Sequence, residues 1–284
     1  MDHRHRRHLH AARALVICLQ FPMPPHFHIG TMGFSYDDWL GNFYPKSAKP
    51  ADFLRLYSQV FDALELDTTF HAMPPVDRFA RWAEHTPDHF RFTLKTPRAI
   101  THDNRIDLGI PLMHEFLRRA HTLGEKLACI VIQFGPSFAI DQFDNLEKFL
   151  RKLPAGARYA VEFRHRTWLT AETATMLRTY HCAFIAGDYA VQPDPIFNTS
   201  DQLYLRLIGI HDTYDRKDHE RVDMTRRLTW WRDKITPHFP HLKDVFIFFN
   251  NDYAGHSPAT ANRMKRLLNL PVNDPAPEPQ GALF

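Results

Sequence analysis

Ionisable and amide side chains recur at the ends of short apolar runs in this chain. They are Glu65 and Asp67, then Lys95 with Thr101-His102 just beyond it, Gln133, Glu162 with Arg164 and His165, Asp188, Arg206, and Asn250-Asn251. Carboxylates near histidines can act as general base and general acid. Arginine, with its planar fork of donors, and lysine, with its compact charge, both hold phosphate oxygens. Glu65, Glu162, His102, His165 and Asp188 are therefore the candidate catalytic groups. Lys95, Arg164 and Arg206 are candidate substrate-binding groups, joined by Tyr36, Trp39 and Trp168 as stacking surfaces and by Asn250 and Asn251. Glu65, Asp67 and Thr69 alternate, which would place them on one face of an extended strand. Each residue taken alone has a structural explanation as well. Lys95, Arg164 and Arg206 could simply neutralise Glu65, Glu162 and Asp188, because a buried charge is costly unless paired. The same holds for the aromatics, each of which could be core.

Metal chemistry has weaker support. The 19 histidines are partly concentrated near the start, and no HExxH or comparable spacing is present. Cys18, Cys129 and Cys182 lack paired or CxxC spacing, which excludes a cysteine zinc site or a disulfide framework and favours a reducing, cytoplasmic setting. No obligate cofactor is expected. A divalent cation remains open, with Glu65, Glu162, Asp188 and a histidine from separate segments as its ligands. A net charge of +3 is too mild to imply nucleic acid by itself.

These residues must be positioned by the runs they terminate: Phe27–Phe34, Phe61–Phe70, Phe90–Lys95, Leu127–Phe134, Arg158–His165, Ala183–Tyr189, Leu203–Gly209 and Val245–Asn251. Helical 3–4 spacing marks Pro50–Val60, Pro75–Glu84, Leu112–Leu123, Gln142–Leu153, Ala171–Tyr180, Asp223–Ile235 and Ser257–Leu268, whereas Ala190–Gln202 shows little of it. Such alternation predicts a parallel sheet covered by helices, and eight strands over about 240 residues predict a closed TIM-type (β/α)8 barrel. Gly30-Thr31-Met32-Gly33 lacks the third glycine of a dinucleotide loop, which argues against an open doubly wound sheet. In a barrel of this kind, sites stand at the carboxyl ends of the strands, where the residues above are expected.

The barrel domain is expected over residues 27–270. Residues 1–26, rich in His and Arg, read as a disordered leader or an upstream start, with Met23 the true beginning; the short run Leu15–Phe21 is a poor secretion signal. No stretch is long and apolar enough for a membrane span. Residues 271–284 form a Pro-rich tail ending Gln280-Gly281-Ala282-Leu283-Phe284. Gln280, Leu283 and Phe284 match the pentapeptide with which many bacterial replication and repair proteins bind the DNA sliding clamp, while Gly281 departs from its usual Leu. The chain is expected to be a monomer.

Several segments together resemble the YecE-like family, also called domain of unknown function 72. They are Ile29–Tyr36 with Trp39 and Phe43-Tyr44-Pro45; Leu64–Phe70; Trp82 with Thr86-Pro87 and Phe90–Phe92; Lys95; Thr101-His102; Gln133-Phe134; Glu162–His165 with Trp168; Asp188; and Phe248–Asn251. The resemblance runs from about Phe27 to Leu268 and implies a TIM-type barrel, without naming a reaction. Asp67 stands where the family usually has Asn, and His71 where it has Tyr. Asp67 thus adds a carboxylate near Glu65, which could raise a pKa or help hold a cation. Three functions follow as expectations. The first is a hydrolase or lyase acting on a phosphate-containing or nucleic-acid substrate in DNA repair. The second is a sugar or small-acid isomerase. The third is a non-catalytic nucleotide- or nucleic-acid-binding protein.

Overall fold

The computed structural model describes residues 24–102, 106–189 and 194–273. The leader, most of the Pro-rich tail and the clamp-like motif lie outside the described residues. Eight parallel strands close into a barrel in sequence order: β1 (His26–Met32), β2 (Ala63–Leu66), β3 (Arg91–Lys95), β4 (Leu127–Phe134), β5 (Tyr159–Phe163), β6 (Ala183–Asp188), β7 (Gln202–Leu207) and β8 (Asp244–Phe249). The ring closes where β8 pairs with β1 from His26↔Asp244 to Thr31↔Phe249.

Strand side chains alternate between two cores, as the pleat requires. Met32, Ala63, Cys129, Val131, Ala160, Ile185, Tyr204, Phe246 and Phe248 fill the barrel interior. Their neighbours in sequence, among them Leu64, Ile130, Ile132, Val161 and Ile247, pack outward against the helix layer. Both faces of each strand are thereby buried, which explains why these strands read as nearly continuous apolar runs. Burial pushes the thiols of Cys129 and Cys182 upward, the latter to about 12, so both are small core residues.

The helices are α1 (Phe53–Tyr57), α2 (Thr68–His71), α3 (Val76–Glu84), α4 (Arg98–Thr101), α5 (Gly109–Ala120), α6 (Phe143–Leu150), α7 (Ala171–Thr179), α8 (Thr225–Ile235) and α9 (Ser257–Leu267). They bury stripes at 3–4 spacing: Met113, Phe116, Leu117 and Ala120 on α5, and Leu228, Trp231 and Ile235 on α8. No described helix is long and apolar enough to cross a membrane.

Two local features depart from regular alternation. The described part of the β6–β7 connection, Asp194–Asp201, contains no helix, in line with its unpatterned sequence. The β5–β6 seam pairs at only two positions, Ala160↔Ala183 and Val161↔Phe184. The second run is also shorter as a strand than its composition implies. β2 stops at Leu66 and the chain turns into α2, so Thr69 does not share a strand face with Glu65. Its hydroxyl donates instead to the carbonyls of Leu66 at 2.9 Å and Lys95 at 2.5 Å, pinning the end of β2 to the end of β3.

Candidate functional site

Inward-facing positions place a charged floor at the carboxyl end of the barrel. Arg206 on β7 lies at its centre and is 2% exposed. Its Nε and Nη2 donate to Glu65 Oε1 at 3.1 and 2.6 Å, and Nη1 donates to Glu162 Oε2. Nη2 also reaches Asp67 Oδ1 at 3.4 Å. One strand pleat deeper, the Tyr204 hydroxyl donates to Glu65 Oε2 at 2.6 Å and lies 2.8 Å from Thr93 Oγ1. Tyr189 donates to the second oxygen of Glu162. That ring can reach across because Gly187 has no side chain: a Cβ there would stand 2.3 Å from Tyr189.

Arg164 completes the network at the rim. Its Nε lies 2.6 Å from Glu162 Oε1, its Nη2 is 3.4 Å from Gln133 Oε1, and its guanidinium lies 4.3 Å above the Tyr189 ring. Lys95, at the end of β3, extends its ammonium 4.0 Å over the face of Phe70. No carboxylate among the described residues comes within ion-pair distance of it. His102 meets the same Phe70 ring edge-on at 5.0 Å, and its Nδ1 is 2.7 Å from Thr101 Oγ1.

The partners divide the charges unequally. Burial would raise Glu162, but Arg164, Arg206 and Tyr189 outweigh it and hold the carboxyl down near about 2. Glu65 must share Arg206 with Glu162 and also faces Asp67. Burial pushes it up to about 7, although Arg206 and Tyr204 oppose the rise. Burial likewise lowers Lys95, aided by the charge of Arg206 and opposed by Asp67, Glu162 and Glu65. The Tyr36 hydroxyl donates to the Met32 carbonyl at 3.0 Å, and burial, together with Asp67 and Asp252, pushes this phenol upward.

A second cluster lies beyond β7 and β8. His211, Asp212 and Asp252 bring their ligand atoms within 4.8 Å of one another, a donor set compatible with a divalent cation. Lys217 Nζ lies 3.6 Å from Asp252 Oδ1 and supplies positive charge there already.

The family model described as "Protein of unknown function DUF72" matches residues 28–282. This chain belongs to the DUF72 family. The UPF0759 protein YecE of Escherichia coli strain K12 is 32% identical over 218 residues, spanning 68% of this chain and 80% of that protein. The UPF0759 protein YunF of Bacillus subtilis strain 168 is 22% identical over 278 residues, spanning 88% and 97%. A DUF72 family protein from Thermotoga maritima superposes with a TM-score of 0.73 at 30% identity, covering 86% of this chain and 99% of that one. One from Enterococcus faecalis gives 0.70 at 20% identity, over 87% and 99%, a likeness of fold alone.

The residues singled out at the strand ends fall into two groups by position. Glu65, Asp67, Lys95, Gln133, Glu162, Arg164 and Arg206 assemble at the mouth, with His102 on its rim. Within that set Glu65, Glu162 and Arg206 are sealed from solvent, so they can tune the site but cannot touch a substrate in this conformation. Asp188 is a correction. It faces the helix layer, where Arg227 holds it at 2.8 and 3.1 Å, Trp231 Nε1 at 2.7 Å and the Tyr253 hydroxyl at 3.0 Å. The reason is parity: Ala183 and Ile185 point inward on β6, so Asp188 points outward. Glu65, Glu162 and Asp188 therefore do not form a shared ligand set for a metal.

Other expected site residues serve local structure. His165 caps a short turn, its Nδ1 lying 2.8 Å from Thr167 Oγ1. Trp39 and Trp168 are fully buried and cannot act as stacking platforms. Trp168 donates to the Phe138 carbonyl at 2.7 Å and stacks on Phe138 and Phe163. Trp39 packs against Phe43 and Tyr44. Asn250 caps the turn Asn251–Tyr253, and Asn251 accepts from the backbone and hydroxyl of Ser257. Tyr204 and Tyr189 were not anticipated. The signal for Tyr204 was available, since it stands two residues before Arg206 on the same strand face; Tyr189 follows β6 in a loop and left none.

Proposed function

We propose that the chain is an enzyme, a lyase or hydrolase, whose barrel mouth receives a substrate bearing a phosphate or similar anionic group. The observation that carries this reading is the pair of cations left at the rim. Arg164 keeps part of its donor fork at the surface, and no carboxylate among the described residues pairs with Lys95, while Arg206 and Arg164 together offset Glu65 and Glu162 beneath them. Buried charges retained without full pairing are costly and concentrate where ligands bind. Arg164 would anchor the anion in bidentate fashion. Asp67 and His102 are the accessible proton carriers at this rim, and Glu65, near neutrality in its proton affinity, biases the charge of the floor. A small or single phosphate group suits this arrangement better than stacked bases, because Trp39 and Trp168 are core residues.

Isothermal calorimetry with inorganic phosphate and with ribose 5-phosphate tests the reading. Binding is expected for the wild type and expected to fall at least about tenfold in Arg164→Ala, the loss of one charge-assisted contact worth about 1.5–3 kcal/mol. Equal affinity in both proteins would remove the mouth as the anion site. A longer single-stranded oligonucleotide binding far more tightly than ribose 5-phosphate would instead favour nucleic acid as the substrate.

A further inference from the structure

We infer that the groove beside α8, along the β6–β7 connection, is a second binding site for a compact aromatic molecule carrying one anionic group, with Trp230 receiving the ring and Lys234 the anion. The inference is independent of the barrel mouth. A regular barrel covers each crossover with a helix about 10 Å across. Asp194–Asp201, the described part of the β6–β7 connection, contains no helix. It touches both neighbours: Arg178 on α7 donates to the Asn198 carbonyl at 3.1 Å, and His238 Nδ1, in the turn after α8, lies 2.8 Å from Asn198 Nδ2. A single non-helical segment fills less of the outer layer than a helix does. A cavity of about 680 Å³ remains beside it, a size that small-molecule sites take.

The lining sets the chemistry. Leu169, Ile196 and Trp231 give apolar walls, and Trp230 beside them is 37% exposed. A tryptophan left open in a concave site offers a rigid surface to a flat ring. Its position is preset, because it meets the buried Trp231 edge-on at 5.0 Å and Trp231 Nε1 donates to Asp188 at 2.7 Å. Charge pairing leaves one cation over. Arg227, 5.3 Å from the Trp230 ring, is engaged by Asp188. Arg166 lies 3.7 Å from Asp194 Oδ1, and the other oxygen of Asp194 accepts from the Gly187 amide at 3.0 Å. Lys234 is exposed, stands 5.5 Å from the centre of the Trp230 ring, and has no carboxylate partner among the described residues. An anion on Lys234 therefore stands next to a ring on Trp230, and a short link must join the two. Asp194 lines the same groove and disfavours a second anionic group.

Calorimetry on the full-length protein tests this with 2-naphthoate, the uncharged 2-naphthamide, and cyclohexanecarboxylate, which keeps the charge without the aromatic ring. 2-Naphthoate is expected to bind at least about tenfold more tightly than either of the others. Trp230→Ala and Lys234→Gln are each expected to weaken 2-naphthoate by about tenfold, and Lys234→Gln to leave 2-naphthamide unchanged. Both side chains are exposed, so the melting temperatures are expected to stay the same; should Trp230→Ala fail to fold, Lys234→Gln decides. Arg164→Ala is expected to bind 2-naphthoate like the wild type. Weakening in Arg164→Ala with none in the two groove variants would assign the ligand to the mouth and overturn the inference. Equal binding of 2-naphthoate and 2-naphthamide, or no binding of 2-naphthoate at all, would overturn it too.

Discussion

The barrel carries charged networks at both poles, and they are built differently. At the amino pole Asp244 accepts from Arg158 and lies 2.7 Å from His28 Nε2, while Arg158 and Lys243 both reach Asp201 at 2.9 Å. His28, Arg158 and Asp244 line a cavity of about 500 Å³ open to solvent, shared with His26, His89 and Arg91. Asp244 and Asp201 each have a cation, and Arg158 and Lys243 are partly exposed, so solvent screens what the pairs leave over. At the carboxyl pole one sealed guanidinium serves two sealed glutamates, and two further cations stand at the rim. The first arrangement closes on itself. The second keeps Lys95 out of any ion pair with a described residue and leaves part of Arg164 at the surface. A charged cluster at a strand end is therefore not evidence of a site until its partners are counted.

Removing the central cation of each pole should separate the two most clearly. Arg206→Met leaves Glu65 and Glu162 buried without their partner and is expected to cost about 3–5 kcal/mol in urea unfolding. Adding Glu65→Gln and Glu162→Gln to that variant should recover much of the loss. Little loss in the single variant would mean the floor is not electrostatically coupled. Asp188→Asn, which weakens the Arg227 contacts in the helix layer, should cost about 1.5–3 kcal/mol and leave phosphate binding by the folded protein unchanged. Weakened binding in that variant would return Asp188 to the site. Arg158→Ala at the amino pole should cost no more than about 1 kcal/mol, as for other solvent-screened pairs.

Asp244 at one pole and Glu65 at the other should also respond oppositely to pH. Asp244 is lowered to about 2 by His28 and Arg158 against the opposing effect of burial. Its stabilising contribution is full above the unfolded value of about 3.9 and is lost as pH falls toward 2. Glu65 is raised, so the folded state holds its proton more tightly than the unfolded state. Its contribution is full below about 4.3 and is lost as pH rises toward 7. Denaturation curves across pH should show Asp244→Asn flattening only the acid limb and Glu65→Gln only the limb approaching neutrality. The smallest expected effect on stability is that of deleting Gln280–Phe284, which should leave unfolding unchanged yet abolish capture by an immobilised sliding clamp. Equal capture with and without those five residues would dismiss the motif.

The architecture was legible because periodicity and parity are properties of the chain itself. Leu127–Phe134 is a strand over the very residues its composition marks, and Ser257–Leu267 is a helix within one residue of its pattern. The mouth was legible as a set, since strand ends converge once the barrel closes. Orientation was less so. Asp188 ends β6 and Arg206 stands one residue before the end of β7, yet the two strands place these last charged residues on opposite faces. Thr69 alternates with Glu65 in sequence, but a helical turn intervenes after Leu66. Trp39 and Trp168 have the residue type of a binding platform, and only packing reveals that neighbouring aromatics cover them. Which cation remains without a partner is a long-range property of pairing, and no spacing rule encodes it.

The short β5–β6 seam has a consequence for how this barrel breathes. A closed ring has no edges, so its opening must begin at the join with the fewest shared bonds, and here that join has two paired positions. Glu162 hangs from one side of the seam, and Tyr189, which bonds it, follows the other. That phenol–carboxylate contact, with Arg164 over the same ring, thus acts as a clasp across the most easily parted staves. Amide protons of β6 should exchange with solvent sooner than those of β7 or β8, and Tyr189→Phe should hasten that exchange without altering the rate in β8.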